Sequence, residues 1–162
     1  MCAEQLYRCE TAPASDILTM SVLNLSELGY CGAALTTPVR LWSRPFIVSG
    51  YPEAWQLRYA RKHLEQSDPV HLERLPNLRL IAWEHFDRTR HKRYLHQQRE
   101  HGVMSGFSMK LMFSNALTLY LSVFRENEVY VSAAEFAYLE QHVRETLLNL
   151  GRLTLQRFSD HL

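Results

Sequence analysis

Between residues 51 and 83 the sequence sets amphipathic aromatics around one carboxylate, a grouping suited to holding a partly polar small molecule. Tyr51 stands just before a helix opened by Pro52, and Trp55 and Tyr59, four residues apart, share one face of it. Asp68 and Trp83 follow, and Ser122 lies far downstream in the strand-like run Leu121–Arg125. Indole and phenol side chains combine an apolar body with a polar tip, which suits the wall of a ligand cavity. Asp68 is the unusual member, because a buried carboxylate needs a hydrogen-bond donor. Spacing alone leaves a second reading open. Trp55, Tyr59 and Trp83 also fit an ordinary core, Asp68 before Pro69 fits a turn former, and Ser122 fits a tolerated small polar residue in a strand.

Little else in the chain points to chemistry. His85, His91, His96 and His101 recur at steps of five or six, which scatters them around a helix. Arg88, Arg90, Lys92, Arg93 and Arg99 lie among them, so the stretch reads as a solvated face. There is no Ser-His-Asp or Cys-His signature. No catalytic residue, metal or cofactor is expected. Cys2, Cys9 and Cys31 lack metal-ligand spacing, and Cys31 reads as a small buried hydrophobe. With no disulfide framework, a cytoplasmic location is expected. The 18 basic and 17 acidic residues leave a net charge of +1, which gives no general reason to expect contact with DNA or a membrane. No run approaches the ~20 apolar residues of a membrane span.

The elements that must position these residues follow from periodicity. Ser15, with Ile17, Leu18, Val22, Leu25 and Leu28 ahead of Gly29, predicts an amphipathic helix over 15–28. Short strands are expected at 30–35 and 45–49, with a loop containing Pro38 between them, then a helix from Pro52 to about Leu64. Asp68-Pro69 breaks the chain before a short helical turn, and residues 79–83 read as a third strand. A charged helix is expected over 85–101, its thin apolar side made by Phe86, Tyr94 and Leu95. Residues 106–113 and 117–125 read as a pair of strands turning at Ser114-Asn115, each apolar on both faces. Ser132 and Glu135 form a capping box for a final helix to about Phe158, with Phe136, Leu139, Val143, Leu147 and Leu150 on one side. With 46% hydrophobic residues in a 162-residue chain, the expectation is one domain over 1–162. Its architecture is an α/β (α+β) fold, an α/β/α sandwich with a mostly antiparallel five-stranded sheet between helical layers.

The motif Tyr51-Pro-Glu-Ala-Trp55-x-x-x-Tyr59, then Asp68-Pro69, Trp83 and His101-Gly-Val-Met-Ser-Gly106, resembles the autoinducer-binding domain of LuxR-type quorum-sensing transcriptional regulators. The resemblance spans essentially the whole chain, and six family positions match in order: Trp55, Tyr59, Asp68, Pro69, Trp83 and Gly106. It implies an N-acyl homoserine lactone as ligand. By this resemblance the Trp55 indole donates to the lactone carbonyl, Asp68 accepts from the ligand amide, and Tyr51 and Ser122 donate to the acyl carbonyl. Tyr59 and Trp83 would pack around the lactone ring and the head of the acyl chain. The complementarity makes chemical sense, since the ligand offers two carbonyl acceptors and one amide donor. Leu57, Val70, Leu80, Met109, Leu119 and Tyr120 are candidates for the wall around the tail.

The chain departs from the family pattern in two informative ways. Cys31-Gly32-Ala33-Ala34 replaces a run of aromatic and hydroxyl residues, which predicts an enlarged or reshaped pocket, suited to a long-tailed or altogether different ligand. The chain ends at Leu162, without the helix-turn-helix domain that usually follows in the family. The resulting expectation is a ligand sensor without direct DNA binding, acting as a homodimer or as a heterodimer with a LuxR-type regulator. A short relative of this kind could inhibit such a regulator. A sensor of a non-lactone signal and a lactone-processing enzyme are the alternatives. The scattered histidines oppose the second.

Overall fold

Residues 117–125 alternate Leu117, Leu119, Leu121 and Val123 with Thr118, Tyr120, Ser122 and Phe124, so a strand here needs cover on both faces. In the computed structural model, which describes residues 2–38, 44–114, 117–128 and 130–160, this strand is central. We label the strands β1 (Gly32–Thr36), β2 (Phe46–Ser49), β3 (Ile81–Ala82), β4 (Ser105–Ser114) and β5 (Leu117–Arg125). Their order is β2-β1-β5-β4-β3, and every paired neighbour is antiparallel. The α-helices are α1 (Ala3–Leu25), α2 (Glu53–Arg61), α3 (Pro69–Leu72), α4 (Lys92–Glu100) and α5 (Ala133–Asp160). The expected α/β/α sandwich is what forms.

The alternation of β5 divides the interior in two. Leu119, Leu121 and Val123 join Leu18 and Leu25 of α1 and Leu139, Val143, Leu147 and Leu150 of α5 in one apolar cluster. Tyr120 and Phe124 point the other way, into an aromatic cluster with Trp55 and Tyr59 of α2, Val70 of α3 and Tyr94 of α4. The first layer is mainly aliphatic. The second carries the polar tips, and the candidate site lies there.

Several elements differ from expectation for identifiable reasons. The first helix starts at Ala3, well before Ser15, and runs through Pro13. An ion pair between Glu10 and Arg157 of α5, at 2.9 Å, ties this early part to the body. The third strand shrinks to two residues because α5 supplies hydrogen bonds a longer strand would have made. Glu140 accepts from the Leu80 N–H at 3.0 Å, and Arg144 donates to the Leu78 carbonyl at 3.1 Å. The charged helix begins only at Lys92, since Asp87 accepts from the N–H groups of Thr89 and Arg90, both at 3.0 Å, and forms a turn. At α5 the Ser132 hydroxyl accepts from the Glu135 N–H at 3.1 Å, as expected, whereas the Glu135 carboxylate pairs with Arg125. Asn115, expected in the β4–β5 turn, lies outside the described residues.

Gly106 shows why a motif residue has no side chain. A Cβ there would lie 2.4 Å from the Val123 carbonyl oxygen and 2.7 Å from the Trp83 ring. Gly106→Ala should therefore lower stability by roughly 1–3 kcal/mol, the usual cost of overpacking, read from the midpoint of chemical denaturation. It should also disturb Trp83 fluorescence, because the indole is the softer of the two obstacles.

Candidate functional site

The Asp68-Pro69 step, a chain break in sequence terms, is built as a helix start. Pro69 fits the first turn, and Asp68 caps it by accepting from the Val70 N–H at 3.0 Å. That bond uses one carboxyl oxygen and turns the other inward. The Tyr59 hydroxyl donates to it at 2.7 Å, the length of a charge-assisted bond. Asp68 is only 5% exposed, so these donors offset a desolvation cost that would otherwise be prohibitive.

Around this carboxyl the structure gathers a small cavity of about 40 Å³. All six residues singled out from the sequence line it: Tyr51, Trp55, Tyr59, Asp68, Trp83 and Ser122. Trp55 packs edge-on against Tyr59 and Tyr94, with ring centroids 6.1 and 5.5 Å apart. Tyr51 leans on Phe124 at 4.5 Å. The Trp55 indole N–H and the Tyr51 hydroxyl make no hydrogen bond to any described residue, although both side chains are buried in the wall. The Trp83 indole donates to the Ser108 hydroxyl at 2.8 Å, and Ser108 and Ser122 hydroxyls lie 2.6 Å apart. Thr36, also in the wall, bonds His71 Nε2 at 2.8 Å.

Residues 19–147 match the family model of the autoinducer binding domain. The chain belongs to that family. It is 30% identical over 73 residues to the transcriptional activator protein CarR of Pectobacterium carotovorum subsp. carotovorum, a stretch covering 43% of this chain and 30% of CarR. Its structure is similar to that of Escherichia coli SdiA, with 26% identity and a TM-score of 0.60 over 94% of this chain and 62% of SdiA. SdiA in complex with octanoyl-rac-glycerol matches with a TM-score of 0.57, also at 26% identity, over 94% of this chain and 61% of that one. CepR2 of Burkholderia cenocepacia, an N-acylhomoserine lactone dependent LuxR family transcription factor, shares the fold, with a TM-score of 0.61 at 18% identity over 86% of this chain and 83% of CepR2. The chain thus spans less than two thirds of the length of CarR and SdiA. CarR is a transcriptional activator and CepR2 a LuxR family transcription factor, and a ligand-sensing domain is the role the family carries.

Within this autoinducer-binding domain the tail-wall candidates divide. Val70 lines the cavity. Leu57 is 42% exposed, on the outer face of α2, and Leu80, Met109 and Leu119 belong to the aliphatic cluster on the opposite side of the sheet. Tyr120 joins the aromatic cluster behind the wall. The strand faces could be separated from the sequence, but not which layer each face would meet. Of the enlargement or reshaping expected at residues 31–34, the structure shows no enlargement at Gly32. A Cβ at Gly32 would lie 2.5 Å from the Phe124 ring, which fills that space, and only Ala34 of the four lines the cavity. Sequence reasoning missed Thr36, Phe46, Val48, Gln56, Tyr94, Gln98 and Ser108. For Tyr94 and Gln98 a signal existed, since residues four apart share a helix face. The histidines go to separate partners: His91 to Glu73 at 2.9 Å, His96 to Glu100 at 3.2 Å, and His101 against the Trp55 ring at 5.4 Å.

Burial, and after it the Asp68 charge, sets the ionisation of the tyrosines around the carboxyl. Burial, then the Asp68 charge, holds the Tyr51 hydroxyl far above the ordinary tyrosine range. Burial and the same charge do so for Tyr59 and Tyr94, reinforced at Tyr59 by its hydrogen bond to Asp68, and they raise Tyr120 as well. These hydroxyls stay neutral donors. The unfolded chain releases tyrosine protons near pH 10 while the folded one keeps them, so their contribution is intact below that pH and is lost above it. Tyrosinate absorbance should show Tyr51, Tyr59 and Tyr94 silent until alkaline unfolding, which then releases them together. Smooth titration of all tyrosines in folded protein would contradict the arrangement.

Proposed function

We propose that this domain binds an N-acyl homoserine lactone in the cavity around Asp68 and that binding is coupled to folding. One observation carries the reading. The Trp55 indole N–H and the Tyr51 hydroxyl line the same wall as Asp68 and have no acceptor among the described residues. Two donors with no acceptor among the described residues, beside a carboxylate, complement two carbonyls and an amide N–H. Trp55 would take the lactone carbonyl, Asp68 the amide, and Tyr51 with Ser122 the acyl carbonyl. Tyr59 serves mainly to hold Asp68, beyond the ring-packing role expected of it. Residues 1–162 act here as one sensing unit. Dimerisation, with a second copy or with a LuxR-type regulator, belongs to the same proposal and rests on the family alone.

A second reading has its own support. SdiA forms a complex with octanoyl-rac-glycerol, an ester with an acyl carbonyl and no lactone, so a non-lactone acyl ligand would meet Tyr51 and Ser122 in the same way. The retained Trp55 and Asp68 favour the lactone. They are matched to a carbonyl and an amide N–H that an acylglycerol does not present together.

Ligand binding to the folded state alone stabilises it by ~2.7 kcal/mol at a hundredfold excess over Kd. For a domain of this size that raises Tm by roughly 5–10 °C. Thermal melts with lactones of acyl length C4 to C14 should show this for at least one length, and a flat response across the series would sink the proposal. Asp68→Asn should weaken binding tenfold or more in calorimetry, since the bond loses its charge and gains an end that repels the ligand N–H. Undiminished affinity would reduce Asp68 to a helix cap. Intact lactone recovered after incubation separates binding from turnover.

A further inference from the structure

We infer that Ser108, behind the cavity wall, fixes Ser122 as a hydrogen-bond donor to the acyl carbonyl of the ligand. This rests on the reading of the cavity as an acyl-ligand site, though not on the lactone head. Ser108 and Ser122 are direct partners in the β4–β5 register, with hydroxyls 2.6 Å apart. The Ser108 oxygen also accepts from the Trp83 indole at 2.8 Å, and an indole N–H can only donate.

The direction of the chain follows from what Ser108 lacks. It is 0% exposed, and its hydroxyl meets no other partner among the described residues. Were Ser122 the donor, the Ser108 proton would be buried with no acceptor, at the full desolvation cost of an unmade bond. Ser108 therefore donates to Ser122. The Ser122 proton is then left for the cavity, whose wall Ser122 forms. Trp83 to Ser108 to Ser122 is a one-way relay in which each bond polarises the next. On the other side of Ser122 in the sheet stands Ala34, which also lines the cavity and is small enough to let a carbonyl approach. Ser108 is thus a positioning residue. It makes the site discriminate an acyl group from an alkyl group of the same length.

Calorimetry with three probes tests this: N-octanoyl homoserine lactone, 1-octanoylglycerol, and 1-O-octylglycerol, the ether lacking only the carbonyl. The wild-type chain should bind the ester about tenfold more tightly than the ether. Ser108→Ala should narrow that ratio to threefold or less by weakening the ester and leaving the ether nearly unchanged. Ser122→Ala should do the same, and the double variant no more, because the two residues act as one unit. Equal weakening of ester and ether in Ser108→Ala, or an unchanged ratio, would overturn the relay and leave the proposed function standing. A wild-type chain that binds the ester and not the lactone rejects the lactone head, and the ester-to-ether ratio still decides the relay. A wild-type chain that binds none of the three removes the acyl-ligand reading and the relay with it.

Discussion

A carboxyl group at the centre of an aromatic cluster sets the terms for everything around it. Asp68 lies out of solvent, and its placement is tolerable only while donors face it. One donor is the Val70 N–H, which the Asp-Pro helix start provides with no additional residue. The second is the Tyr59 hydroxyl, delivered from α2. That requirement fixes α2 against α3, and through the Trp55–Tyr94 contact it fixes α4 as well. The neutral tyrosines around the carboxyl follow from the same constraint. Burial disfavours each phenolate, and a second negative charge beside Asp68 would add to that cost, so each phenol keeps its proton and remains a donor.

The sheet separates this polar arrangement from the part of the protein that supplies bulk stability. Alternation along β5 sends its leucines to α1 and α5 and its Tyr120, Ser122 and Phe124 to the site. Close approach at two glycines keeps the site side compact. Gly106 admits the Trp83 ring, whose indole then reaches Ser108, and Gly32 admits Phe124, on which Tyr51 rests. Neither glycine touches the cavity itself. Gly106 governs the direction of Trp83, which does, and Gly32 that of Phe124, which backs the lining residue Tyr51.

Much of the frame was legible in the sequence because it depends on local rules. The two-sided strand pair, the Ser132 cap and the aliphatic stripe of α5 follow from periodicity and capping. The cavity residues were legible by resemblance, and spacing alone left Trp55, Tyr59 and Trp83 indistinguishable from core. What stayed hidden was decided by partners far along the chain. Pro13 lies inside α1, where Glu10 reaches Arg157, and residues 78–80 leave the strand conformation because Glu140 and Arg144 satisfy their backbone. Ser108 was hidden for a similar reason. Its importance depends on register, which places it opposite Ser122, and on Trp83, which arrives from the turn after β3.

The two helical layers are unequal, and the inequality bears on how a ligand could be enclosed. The layer away from the site consists of helices of 23 and 28 residues, and α5 buries four aliphatic side chains completely. The layer over the cavity has helices of 9, 4 and 9 residues. Helices shorter than about 12–15 residues are marginal by themselves in water, so this layer holds its form through the aromatic cluster beneath it. The cavity of about 40 Å³ is far below the roughly 300–1,000 Å³ of ordinary ligand pockets. Under the proposed function, binding of an acylated ligand would enlarge this space as the short helices repack around it. The long-helix layer keeps the sheet, and with it Ser122 and Ser108, in register meanwhile. In such a design affinity and stability are one quantity measured in two ways, since whatever the ligand contributes to the cluster is also what holds the layer closed.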